Sequence, residues 1–136
     1  MKVKIGKYPT HRWYHNFLYE WFNWSPTQKV KVHIDPWDTW AMDSTLAEIV
    51  LPMLYQLAKT KHGSPLVDEE DVPWELQGDH HDDLVHDRWD WVMAEMIFAF
   101  QKKLDHGDTY MLSKEDQERV QNGFKLFGKY YEGLWD

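Results

Sequence analysis

Three stretches of this chain space their apolar residues for an α-helix, and that periodicity constrains the fold more than any other feature. Leu46, Ile49, Val50, Met53, Leu54 and Leu57 form the first stripe. Trp89, Val92, Met93, Met96, Ile97 and Phe100 form the second, and Val120, Phe124, Phe127 and Tyr131 the third. Residues at i, i+3, i+4 and i+7 share one face of a 3.6-residue helix, so each stretch predicts an amphipathic helix turned towards a core. Local signals set the ends. Asp43 or Ser44 caps the first helix, which carries Pro52 as a kink and runs to about Lys61, where His62-Gly63-Ser64-Pro65 stops it. The second spans about His86 to Leu104 and stops at His106-Gly107-Asp108. The third begins near Ser113, with Asp116 completing a weaker capping box, and reaches about Tyr131.

A fourth, ring-rich helix is expected earlier. Trp13, Phe17 and Trp21 recur at helical spacing beside Tyr14, Leu18 and Phe22, with Thr10 as its N-cap and Ser25-Pro26 as its stop. Lys2 to Ile5 and Lys29 to Ile34 alternate polar and apolar residues, the pattern of short strands. Asp35-Pro36 then opens a turn bearing Trp37-Asp38-Thr39-Trp40. Residues 66–83 form a long polar loop with at most one helical turn near Pro73 to Leu76. The expected fold is mainly α: a bundle of about four helices with a short β-hairpin or one to two small strands, in one domain spanning 1–136.

Composition narrows the function classes. At 136 residues the chain is long enough for one hydrophobic core. Its formal charge of -8 argues against a duplex nucleic-acid binder, which needs a basic footprint, while leaving room for a small anionic ligand held by a few local cations. There is no cysteine, which rules out disulfides, thiolate metal sites and cysteine nucleophiles. No segment has the apolar length of a membrane span, and Met1 to Tyr8 lacks the apolar run of a signal peptide, so a cytosolic protein is expected. Nine Trp, seven Tyr and six Phe supply large buried area, and they equally suit a surface that stacks on a ligand.

Four groups of residues could carry chemistry. His80, His81, Asp82 and Asp83, with His86, Asp87 and Asp90, have the composition of a divalent-metal site, but read more plainly as a solvated loop entering an acidic helix start. Val32-His33-Ile34-Asp35 holds only one imperfect half of a two-histidine phosphoesterase pair. Lys59, Lys61, His62 and Ser64 could hold a phosphate, although cations at a helix C-terminus also suit the helix dipole. Trp37 with Trp40, and Trp89 with Trp91, sit at spacings that cannot all face one core, so at least one of each pair is expected to be partly exposed or to lie in a pocket or subunit interface, with Arg88 alongside. No phosphate-binding glycine loop, nucleophile elbow or zinc-protease helix motif is present.

Several long strings resemble a family of small tailed-phage proteins: Val30 to Asp35, Trp37 to Trp40, Leu51 to Leu54, Lys61 to Pro65, Asp71 to Pro73, Arg88 to Val92, Glu95 to Ile97, and Asn122 to Asp136. The resemblance covers about three-quarters of the chain. His80 to Asp83 are not part of the shared pattern, the N-terminal part is compact, and the segment between the last two helices is shorter here. The resemblance implies a phage product acting in the host bacterial cytoplasm. Small phage proteins without enzyme motifs include sponges for nucleotide immune signals, such as the Lockin and Sequestin proteins that trap ADP-ribose-type signals of the Thoeris system. The expected function is therefore sequestration of an anionic nucleotide without catalysis, cofactor or metal, in a pocket at the interface of a homo-oligomer. The base would stack on Trp37 or Trp40, the phosphates would meet Lys59, Lys61, His62, Ser64 or Arg88, and Asp43 or Asp90 would accept from ribose hydroxyls. The alternatives are an acidic inhibitor that binds a host enzyme through Asp68 to Asp71 and Asp79 to Asp83, and a metal-dependent phosphohydrolase using His80, His81, Asp82 and His86.

Overall fold

The computed structural model describes residues 1–78 and 83–135. Four helices and one two-stranded antiparallel sheet make the fold mainly α, as the periodicity requires. The chain divides into two compact units, Met1–Ala41 and Met42–Asp136.

The N-terminal unit contains strand β1 (Lys2–Ile5), helix α1 (Trp13–Phe22) and strand β2 (Val30–His33). The strands pair as Lys2 with His33, Val3 with Val32, Lys4 with Lys31, and Ile5 with Val30. Directly opposed residues share a face, so the hairpin has a β-branched face and a basic face. Helix α1 begins at Trp13 rather than after Thr10, because the Arg12 N–H donates to His15 Nδ1 at 3.0 Å and ties off the first turn. It also stops early. Asn23 adopts the left-handed conformation (φ 50°) and its N–H returns to Tyr19 O at 2.9 Å, three residues before Pro26. The expected Trp13, Phe17 and Trp21 stripe forms, and Phe17 stacks on Trp21 at 5.4 Å, but all three rings are exposed. His15 is the buried residue of this helix, with Tyr14 and Trp24 packed edge-on against it.

The C-terminal unit contains α2 (Met42–Thr60), α3 (Val85–His106) and α4 (Lys114–Lys129). Helix α3 is central, and α2 and α4 each pack along it far more than on one another. Its buried residues Trp89, Val92, Met93, Met96, Ala99 and Phe100 follow the expected stripe, meeting Ala47, Leu51 and Leu54 of α2 and Leu126 of α4. Burying each large side chain stabilises the fold by roughly 1.5–3 kcal/mol. No described residue accepts from the buried Nε1 of Trp89, and nothing in the packing explains that. Helices α3 and α4 approach closely at Gly123, where a Cβ would lie 2.4 Å from Glu95 O. Ser113 caps α4 by accepting from the Asp116 N–H at 3.2 Å.

Three expected core positions are not in the core. Tyr131 is exposed while Tyr130 is buried, because α4 ends at Lys129 and a tighter turn (Tyr131–Gly133) shifts the helical phase. Leu46 and Met53 also face outward, since one neighbouring helix cannot cover the whole apolar stripe of α2.

Candidate functional site

Two ion pairs and a hydrogen bond fix α2 against α3. Lys61 Nζ meets Asp90 Oδ1 at 2.6 Å and Ser64 Oγ bonds His86 Nδ1 at 2.9 Å at one end; Lys103 Nζ meets Asp43 Oδ2 at 2.5 Å at the other. The Lys103 contact holds the Asp43 carboxyl below its ordinary range. Helical rise places Asp43 and Lys61 about 27 Å apart. Within one chain Asp43 and Lys61 therefore stand at opposite ends of α2. Lys61 and Asp90 do come together, but as partners of each other. His86 and Ser64 form a serine–histidine pair, and among the described residues no carboxylate orients the other imidazole nitrogen. His80, His81 and Asp82 lie outside the described residues, and the described ones contain no group of three residues able to hold a metal.

Arg88 is not a surface cation. It is 1% exposed, and its Nε donates to Leu76 O at 2.6 Å, so it organises the loop from within rather than facing a ligand. Residues 66–78 of the loop hold more structure than their polarity suggests. They carry 3-10 turns at Glu69–Asp71 and Trp74–Leu76, bury Val67 and Val72, and are fastened to α4 through Asp71. Asp71 Oδ2 accepts from Tyr130 Oη at 2.7 Å and from Lys129 Nζ at 2.5 Å, while Lys129 also meets Asp68 at 2.7 Å. Burial raises the Asp71 pKa, but the bonds from Lys129 and Tyr130 outweigh it and leave the carboxyl below its ordinary value. Burial and the neighbouring carboxylate push Tyr130 up to about 12.

The shallow contact between α2 and α4 leaves an open groove of about 740 Å³. Its walls are mainly apolar: Val50, Met53, Leu54 and Leu57 from α2 face Phe127, Tyr131, Leu134 and Trp135, with Gln56 and Thr60 as polar points. Lys59 is exposed near the end of α2 and is not among the residues that line the groove. Gly63 lies against the Trp135 ring, and Gly133 packs on Pro65, where a Cβ would come within 3.0 Å. The strings Lys61 to Pro65, Arg88 to Val92 and Gly133 to Trp135 thus converge in space around Trp89 and the chain end. The groove was missing from the sequence reading, which placed Met53, Phe127 and Tyr131 in the core. Its signal was an α2 stripe wider than one partner helix can cover.

Trp37 and Trp40 stand 78% and 90% exposed, on a turn (Pro36–Thr39) held by the Asp35 N–H donating to Asp38 Oδ2 at 2.8 Å. Both rings are presented to solvent, as the spacing argument required of at least one. Trp91 is half-buried beside the fully buried Trp89. No helix among the described residues is long and apolar enough to cross a membrane. Compared with protein families, curated proteins and solved structures, the chain matches none.

Proposed function

We propose that this chain is a phage-encoded binding protein of the host cytoplasm that holds an anionic nucleotide immune signal, of the ADP-ribose type or cyclic, without turning it over. One observation carries the reading: the groove beside α2 offers Phe127, Tyr131 and Trp135 to a base, and the exposed Lys59, next in sequence to the lining residue Thr60, would reach a phosphate. Its size suits a ligand of that class, whose apolar base needs a concave wall and only a few polar anchors. Gln56 and Thr60 supply such anchors. The base thus moves from the Trp37 and Trp40 turn to the groove, and Arg88, buried under the loop, drops out of phosphate binding.

A second reading rests on the exposed Asp68, Glu69 and Glu70, which the Asp71 network displays on a fixed turn. An array of carboxylates can imitate nucleic-acid phosphates for a basic host enzyme. Calorimetry with ADP-ribose, and mass spectrometry of small molecules released by heating protein taken from lysate, separate the two. Intact nucleotide released at near-stoichiometric amount supports sequestration. No nucleotide, with a basic host protein retained through Asp68 to Glu70, overturns it for the inhibitor, and nucleotide consumed overturns both for an enzyme.

A further inference from the structure

Helix α1 is anchored by a histidine, although it is rich in large rings. Trp13, Phe17, Trp21 and Phe22 are each more than half exposed. Among the described residues His15, 7% exposed, is the single buried side chain of this helix. Its imidazole meets His11 edge-on at 5.3 Å, Tyr14 at 4.4 Å, and Trp24, from the segment after α1, at 6.0 Å. An amphipathic helix ordinarily holds its place through an apolar stripe. Here a titratable ring takes that position.

The same ring closes the start of the helix. The Arg12 N–H donates to His15 Nδ1 at 3.0 Å, and no side chain at the N-cap position accepts from the first turn. An imidazole nitrogen accepts only while it carries no hydrogen, so this bond requires a neutral ring with its hydrogen on Nε2. Protonation places a hydrogen on both nitrogens. Nδ1–H and the Arg12 N–H would then be two donors facing each other, around a charge held away from water. The groups whose charge acts on His15 are His11 and Arg12, with no carboxylate among them. Burial first, and then these two groups, hold the His15 pKa below its ordinary value, so the ring is neutral at pH 7. A helix of ten residues is marginal by itself in water. Little else keeps α1 wound once its anchor leaves.

We propose that His15 is a proton-operated latch on α1: neutral, it caps and anchors the helix; protonated, it turns out into water and α1 unwinds while α2, α3 and α4 stay folded. The latch lies wholly within Met1–Ala41 and does not depend on what the groove binds.

NMR of the full chain from pH 8 to pH 4.5, following histidine ring nitrogens and amide hydrogen exchange, tests this. At pH 8 His15 should carry its hydrogen on Nε2 alone. As it takes up a second proton, exchange of the α1 amides, corrected for the intrinsic effect of pH, should rise at least tenfold, while the α3 amides keep their protection. In His15→Gln the amide oxygen can accept the Arg12 N–H but does not titrate, so α1 exchange should stay level over the same range. Equal protection of α1 with His15 protonated overturns the proposal. So does a His15 that is protonated only where α3 also opens, or a His15→Gln chain that still loosens α1 in acid. The wild-type titration needs no substitution, so it decides the question whether or not the variant holds its helix.

Discussion

Tyr130 donates its phenolic hydrogen to Asp71 Oδ2 at 2.7 Å while its oxygen accepts the Asp68 N–H at 2.9 Å, closing a 59-residue separation with one side chain. This pair turns a polar segment into an ordered wall. Tyr130→Phe removes both bonds and leaves Asp71 with one fewer donor. The expected loss is about 1–2 kcal/mol in urea unfolding. Unchanged stability would show that the loop is held without this contact.

Acid should loosen the same fastening. The Asp71 and Asp43 carboxyls are both lowered in the folded state, so the unfolded chain takes up protons first as pH falls. Their contribution is full above about pH 4 and disappears as pH drops through the folded values. His15, lowered chiefly by desolvation, adds an earlier step: its contribution is full above about pH 6.5 and declines below it. Urea midpoints measured from pH 8 to pH 2 should fall in both ranges. Asp71→Asn should flatten the acid limb and His15→Gln the upper one.

Two glycines of α4 should respond in opposite directions. A Cβ at Gly123 would lie 2.4 Å from Glu95 O and 2.6 Å from Ala99 Cβ, so Gly123→Ala should destabilise by about 1–3 kcal/mol. Gly128 has open space around it inside the same helix, and Gly128→Ala should stabilise by about 0.5–1 kcal/mol. Thermal melts of the two variants check the close helix crossing directly.

If the groove holds the base, Trp135→Ala and Tyr131→Ala should each weaken ADP-ribose binding roughly tenfold, as expected from the loss of one stacking platform. Trp40→Ala should leave the affinity unchanged. The reverse pattern in calorimetry would return the base to the Trp37 and Trp40 turn.

The sequence by itself determined the elements. The stripes of α2, α3 and α4, the Ser113 cap and the alternating strands are local, because helix and strand periods follow from backbone geometry and where side chains point. It also indicated that at least one of Trp37 and Trp40 would be exposed. Only the tertiary structure decided which apolar residues are covered. Arg88 became a buried anchor because the loop folds back over it, and Lys61 and Asp90 became each other's partners because α2 lies along α3. Tyr131 is exposed and Tyr130 buried because α4 ends two residues sooner than the pattern implied. Burial depends on what packs against a face, and periodicity specifies the face but not its neighbour.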